Sequence, residues 1–334
     1  MNPVVVTGAF GGLGRAVLAE LAARGLPARA FDLPTARNRL VAARLRRRHP
    51  GALEVAWGDV TRPADVERAL RDASGVIHNA GVLPPTTERN PALARAVNVG
   101  GFEHLLAALR RAPVPLVYPS SYTVFGPEAG RRGIASAASP VVATDGYTSH
   151  KLACEALLRA SDLPWTILRL AAAIEASASA TDPAILRLMF EVDPGQPMEI
   201  LHAADAARAE VEALGCEGAR GKVLCVGGGK RCQIRQRDLI LLMLRALAIK
   251  SVPESAFGDM PYYTCWLDTA ESEALLHYQR HSFEDVAREL TRRLAPLRPL
   301  LWAASPLSRQ LLLRLSGPYN GRPPAEHARE IYAA

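Results

Sequence analysis

The run Val4-Val5-Val6-Thr7-Gly8-Ala9-Phe10-Gly11-Gly12-Leu13-Gly14 passes from three β-branched residues through a glycine-rich turn into a stretch of Ala, Leu and Arg. Few arrangements accept that order. A short strand leads into a turn where glycine permits close backbone approach, and a helix then opens with its first N–H groups free to meet a pyrophosphate. The glycines alone would also suit a plain tight turn; their place between strand and helix is what favours a nucleotide. The expected cofactor contacts are Gly8, Phe10, Gly11, Gly12, Leu13 and Gly14.

Short β-branched runs keep alternating with longer stretches of helical period, the pattern of βαβ units feeding a parallel sheet. Strands are predicted at 3–7, 28–32, 53–57, 75–78, 115–119 and 164–169, and helices at about 12–25, 38–48, 63–72, 90–111 and 146–161. Thr61 with Pro63, Asn90 with Pro91, and Thr144 with Asp145 supply helix starts. The fold class is α/β, a doubly wound parallel (Rossmann) sheet over residues 1–169.

After Arg169 the periodicity weakens. An Ala/Ser-rich stretch (171–180) and Pro183, Pro194 and Pro197 break the chain into short pieces, so 170–334 is read as a smaller substrate lobe and tail. A helix at about 203–214 and a strand at 222–226 are expected to rejoin the sheet and interleave the two lobes. Phe283, Val286, Leu290 and Leu294 define an amphipathic helix over 282–294, with acids early and Arg292 and Arg293 late. Beyond it, the apolar tail 296–316, interrupted by Ser305-Pro306, is too short to span a bilayer and is left with two readings, a peripheral membrane contact or a subunit contact.

Composition narrows the class. The formal charge of +7 comes from 40 basic and 33 acidic residues that are interspersed, which argues against a nucleic-acid surface. The five cysteines are scattered without C-x-x-C spacing, so neither a disulfide framework nor a metal site is expected. The start of the chain leaves no room for an export signal, and a cytoplasmic location follows as the expectation.

Asp32 closes the second strand, where a carboxylate can accept both adenosine ribose hydroxyls and repel a 2′-phosphate. NAD is therefore favoured over NADP, with Arg37 and Arg39 near enough in sequence to keep NADP as the lesser option. Asp59-Val60 ends the third strand and Asn79-Ala80-Gly81 the fourth, all expected beside the cofactor; turn chemistry alone would also account for them. Tyr147 and Lys151 stand four residues apart and share one face of a helix, so the ammonium can lower the phenol pKa toward the working range. Eight Tyr and four Lys in 334 residues would give roughly 0.1 such pairs by chance. Ser121 follows an apolar strand at the edge where open α/β sheets place ligands, and its hydroxyl can hold a substrate oxygen.

With these motifs in place the sequence resembles the extended short-chain dehydrogenase/reductase family, also called the NAD-dependent epimerase/dehydratase family. Thr7–Gly14 matches its T-G-x-x-G-x-x-G, Ser121–Gly126 resembles its S-x-x-V-Y-G, and Tyr147–Lys151 matches its Y-x-x-x-K. Asn98–Gly101, His202–Ala207 and the segment Gly221 to Gly229 resemble three further family stretches. The resemblance implies that Tyr147 exchanges a proton with the substrate oxygen, that Ser121 holds that oxygen, and that Lys151 binds the nicotinamide ribose and tunes Tyr147. Asn98 is carried over as a fourth catalytic residue, or as a buttress. The family's dehydratases usually carry an Asp-Glu pair where Tyr122-Thr123 stand here, which disfavours dehydration. The stretch from Arg169 to Asp205 is short for a nucleoside diphosphate, and His78-Asn79-Ala80-Gly81 looks more like the simpler reductases.

The reading that follows is an NAD-dependent alcohol dehydrogenase or ketoreductase for a non-nucleotide small molecule. An NDP-sugar 4-epimerase using the same residues is the alternative, a non-catalytic NAD-binding sensor is a further one, and a homodimer is considered.

Overall fold

The computed structural model describes residues 2–51, 53–174 and 183–321, without the side chains of 183–186. Most of the Ala/Ser-rich stretch therefore lies outside the described residues. The elements that build the sheet are β1 (Val4–Thr7), α1 (Gly12–Ala23), β2 (Ala28–Asp32), α2 (Ala36–Arg48), β3 (Leu53–Trp57), α3 (Pro63–Leu70), β4 (Gly75–His78), α4 (Gly101–Arg111), β5 (Leu116–Ser121), α5 (Gly146–Arg159), β6 (Trp165–Leu170), α6 (Ala203–Gly215) and β7 (Lys222–Val226). Seven strands lie in the order β3-β2-β1-β4-β5-β6-β7, every pair parallel.

A sheet covered on both faces needs apolar residues at consecutive positions. β1 shows why: Val4 and Val6 enter the core under α1 and α6, while Val5 points into the opposite core under α3, α4 and α5. α1 buries Gly14, Val17, Leu18 and Leu21, one stripe at helical spacing. β1 lies between β2 and β4, so crossovers leave it toward opposite sides and a crevice opens beyond its C-terminal end.

The predicted strands and helices of the first half are all present, with two differences of detail. Thr61 does not cap α3; its N–H and hydroxyl bond to Asp59 instead, and Pro63 opens the helix. The single helix expected over 90–111 is split into Pro91–Arg95, a π-helical turn Ala96–Gly100, and α4. Two contacts from distant segments pack on the widened turn and the residue after it. A Cβ on Gly101 would stand 2.9 Å from Val60 Cγ2, and the Asn98 carbonyl accepts Cys154 Sγ at 3.2 Å.

After β6 the smaller lobe is a mixed sheet in which Pro197–His202 pairs in parallel with Ala172–Ile174 and antiparallel with Gln233–Arg235. The helix Phe283–Leu294 covers it through Val286 and starts with a reciprocal Ser282–Asp285 cap. The tail departs from expectation: Arg298–Leu315 is one continuous helix with Pro306 inside it. Among the described residues no helix is long and apolar enough to cross a membrane.

Candidate active site

The glycine turn is shaped by contact. Gly8 has φ +60°, and a Cβ there would stand 2.7 Å from the backbone of Asn79 and Ala80; one on Gly14 would stand 2.3 Å from the Gly8 carbonyl. Glycine is therefore required for β1, α1 and the end of β4 to approach one another. Gly11 is the N-cap of α1 and offers no side chain, so the first N–H groups of that helix remain available for an anion.

Asp32 stands beside this turn. Its Oδ2 accepts Phe10 N–H at 2.8 Å, and its Oδ1 accepts Leu33 N–H at 2.8 Å and Asn38 Nδ2 at 3.1 Å. Burial pushes the carboxyl pKa up, opposed by the Phe10 and Leu33 N–H bonds and by nearby Arg37. Phe10 contributes its backbone here, while its ring packs on Trp57 at 5.4 Å. Arg39 lies over the same Trp57 ring and donates to the Pro34 carbonyl. Asp59 accepts Thr61 through N–H and hydroxyl, and Val60 packs on Gly101.

Thr7 Oγ1 accepts Ala80 N–H at 3.1 Å and bonds His78 Nδ1 at 2.9 Å, fixing the chain as it leaves β4. His78 is enclosed with Phe102 and Tyr118, and burial pushes its pKa down to about 3. Asn79 donates at 2.7 Å to Glu210, a buried acid on α6 whose pKa burial pushes up to about 8.

Ser121 ends β5, and Tyr147 and Lys151 rise from the first turns of α5. Asp145 and Thr148 cap that helix reciprocally. Its inner side is fastened by Glu155, which accepts Ser120 Oγ at 2.7 Å and grips Arg169 on β6 through both carboxylate oxygens at 3.1 and 2.8 Å. α5 is thereby locked to β5 and β6, holding Tyr147 beside Ser121. The Ser121 hydroxyl shares a 2.8 Å contact with Thr123 Oγ1 and accepts Thr123 N–H. Lys151 Nζ donates to the Pro119 carbonyl at 2.6 Å and lies 4.8 Å from the Tyr118 ring centre.

The electrostatics correct one expectation. The Tyr147 pKa is not lowered by the lysine but pushed up to about 12, chiefly by burial against the cavity wall, with Asp145 adding to it and Ser121 opposing. Burial also lowers Lys151 to about 8. Its ammonium is aimed at a carbonyl rather than at the phenol.

Gly8, Gly11, Gly12, Leu13, Gly14, Asn79, Ala80, Gly81, Asn98, Ser121, Tyr147 and Lys151 line one cavity of about 650 Å³. Phe10, Asp32, Asp59 and Val60 stand outside its wall, behind the glycine turn or at the end of β3. Asn98, proposed from sequence as catalytic, uses its side-chain amide to clasp Val82, accepting its N–H at 2.7 Å and donating to its carbonyl at 3.0 Å. That clasp fixes the loop after Gly81, which makes Asn98 a positioning residue in this geometry.

Thr123, read from sequence only as standing in place of a dehydratase acid, also reaches the cavity, as do His150, Met198, Tyr262 and Thr264, which the sequence reading did not assign. Tyr262 donates to the Tyr263 hydroxyl at 3.0 Å. Its only sequence signal is an aromatic pair in an aperiodic loop. Of the lysines and arginines among the described residues, Lys151 alone lines the cavity. Elsewhere His202, Asp205 and His281 cluster, but Asp205 already accepts two backbone N–H groups and His281 Nδ1, and His202 Nδ1 accepts Ala204 N–H. These bonds strap the segment Arg280-His281 to α6.

The model of the NAD dependent epimerase/dehydratase family matches residues 4–227. Short-chain dehydrogenase/reductase family 42E member 1 of Macaca fascicularis is 30% identical over 135 residues, a match that spans 39% of this chain and about a third (32%) of that protein. dTDP-4-dehydrorhamnose reductase of Mycobacterium tuberculosis (strain H37Rv) is 29% identical over 234 residues, 66% of this chain and 68% of that one. Among solved structures, UDP-glucuronic acid 4-epimerase from Bacillus cereus, in complex with UDP-glucuronic acid and NAD, superposes with a TM-score of 0.74 at 19% identity over 88% of this chain and 99% of that one. At that identity the likeness is one of fold.

Proposed function

The chain belongs to the NAD-dependent epimerase/dehydratase family, and from that premise we propose that it is an NAD-dependent enzyme moving a hydride at the carbinol carbon of a nucleotide-linked sugar, with 4-epimerisation as its reaction. The observation that carries the hydride chemistry is the convergence of Ser121, Tyr147 and Lys151 on the cavity that the glycine turn also lines. The sugar nucleotide rests on the relatives, a dTDP-sugar reductase in sequence and a UDP-sugar epimerase in fold.

The residues present fit the cofactor. The uncapped start of α1 suits its pyrophosphate, Gly8 and Gly14 let β1, α1 and the end of β4 close together beneath that start, and Asp32 suits a ribose diol. When bound, NAD supplies the hydride acceptor and donor at its nicotinamide. As the phenolate Tyr147 takes the proton from the substrate hydroxyl, and as the phenol it returns it, while Ser121 orients that oxygen by a hydrogen bond. Lys151, the one cation on the described wall, is placed to hold the nicotinamide ribose and to favour an ionised phenol nearby. Tyr122-Thr123 follow Ser121, so no carboxylate is at hand there to expel water, and dehydration is disfavoured.

One observation favours a second reading, the alcohol dehydrogenase or ketoreductase with a non-nucleotide substrate. A diphosphate normally recruits several cations or N–H clusters, and Lys151 is the one such cation on the described wall. Arg235 is engaged with the Gly195 carbonyl and the Trp266 ring. A single experiment separates the two. The protein is incubated with NAD and UDP- or dTDP-hexoses, and sugar configuration is followed by NMR alongside reduced-cofactor absorbance. Interconversion of epimers without net NADH supports the proposal. Absence of sugar-nucleotide binding, together with stoichiometric NADH from a secondary alcohol, overturns it in favour of the second reading.

A further inference from the structure

The C-terminal helix Arg298–Leu315 carries a surface that neither the fold nor the cavity uses. Its later half is seated: Leu312 and Leu313 pack with Phe190, Val252, Ala256 and Phe257. The rest of the helix and the turn before it present apolar side chains to solvent, with Leu297 51%, Leu300 68%, Trp302 72%, Leu307 62% and Leu311 50% exposed. Leu297, Leu300, Leu307 and Leu311 recur at helical spacing, so they form one stripe. Large apolar side chains gathered in this way mark an interaction surface rather than ordinary scatter.

Charge identifies the occupant. From Leu290 to Gly321 the sequence holds Arg292, Arg293, Arg298, Arg309 and Arg314 and no Asp or Glu. Among the described residues none of these five makes an ion pair, and Arg309 alone is tethered, through Nε to the Ser251 carbonyl. A second copy of the chain paired about a two-fold axis would set this cationic face against itself. A surface rich in phosphate headgroups would neutralise it, while the leucine side chains enter the acyl boundary and arginines extend to the headgroups. With 18 residues at about 1.5 Å each and an interior Pro306, the helix is long enough to lie on a bilayer and fails to qualify as a span.

We propose that the stripe formed by Leu297, Leu300, Leu307 and Leu311, on a segment whose only charged side chains are arginines, docks the protein on an anionic membrane surface, lying in the headgroup region. The proposal is independent of the substrate assigned above.

The test is flotation of the full-length protein with vesicles of phosphatidylcholine alone or mixed with phosphatidylglycerol, at low and high salt. Binding is expected to require phosphatidylglycerol and to fall at high salt. The double variant Arg292→Gln/Arg293→Gln is expected to bind about 25-fold more weakly, about fivefold for each arginine. Leu300→Ser/Leu307→Ser should bind at least about tenfold more weakly, with thermal unfolding unchanged because both side chains are exposed. Failure to float with either vesicle, equal flotation with both, or unaltered binding by the leucine variant overturns the proposal. A concentration-dependent dimer that the leucine variant abolishes, seen by sedimentation without vesicle binding, would give the face to a second copy instead.

Discussion

The Lys151 ammonium stands 5.7 Å from the centre of the Tyr147 ring, one helical turn away, while its hydrogen bond goes to Pro119. The two groups thus share a site without a direct bond, and their roles should separate on mutation. Tyr147→Phe is expected to lower turnover by about 10² to 10⁴ and to leave NAD affinity within about twofold. Lys151→Ala should lower turnover and weaken NAD binding together. Calorimetric titration with NAD, run beside steady-state kinetics, distinguishes these patterns; near-normal turnover by Tyr147→Phe would remove it from proton transfer.

Asp32 holds the glycine turn through Oδ2 and the start of the next loop and helix through Oδ1, and the charge that results should select the cofactor. NAD is expected to bind at least about tenfold more tightly than NADP, since a 2′-phosphate would meet this acid at close range. Asp32→Asn should narrow that ratio mainly by improving NADP. Equal affinities in the unaltered protein would give the ribose site to Arg37, because Arg39 is held over Trp57.

What the sequence made legible was local. Val4–Val6, Val76–Ile77 and the other strands of the first half are short runs bounded by Gly, Pro or polar residues, and each formed where its neighbours within a few positions dictated. Tyr147 and Lys151 were readable because helical spacing alone puts them on one face. The π turn at Ala96–Gly100 was hidden because the contacts that pack on it, Val60 against Gly101 and Cys154 beneath the Asn98 carbonyl, come from segments distant in sequence. Tyr262 and Thr264 reach the cavity from a loop with no period to betray it. The direction of the Tyr147 shift was missed for a related reason: spacing reports the nearby ammonium but not the burial that outweighs it.

Glu155 and Arg169 form a buried pair that ties α5 to β6, and both are almost fully enclosed. Removing one partner strands the other charge in a dry site. Glu155→Ala should destabilise the fold by about 3 to 5 kcal/mol, with Ser120 also losing its acceptor. Arg169→Met, which leaves the acid alone, should cost a similar amount, and the double variant should recover part of the loss. Urea midpoints for the three variants test this; additive losses would mean that the pair is not coupled.

Glu210 offers the sharpest pH prediction. Its Oε2 accepts the Asn79 amide, while its Oε1 is buried with no partner among the described residues. An ionised carboxylate there would be poorly compensated, which is why burial raises its pKa from 4.5 to about 8, against the pull of Asn79 and Lys151. The folded protein therefore keeps a proton that the unfolded chain has lost between those two values. The stability this contributes is fully present below the unfolded pKa and is lost as pH rises through about 8. The whole swing is about 3 to 5 kcal/mol. Glu210→Gln keeps a carbonyl for Asn79 and has no proton to lose, so it should match the parent near pH 5 and exceed it increasingly toward about pH 9. Denaturant midpoints for the two proteins across that range decide the matter. Curves that stay parallel would mean that Glu210 is ionised in the fold and that a partner for Oε1 must be sought. Because Asn79 lines the cavity, NAD affinity measured over the same range should weaken above about pH 8 in the parent and stay flat in the variant.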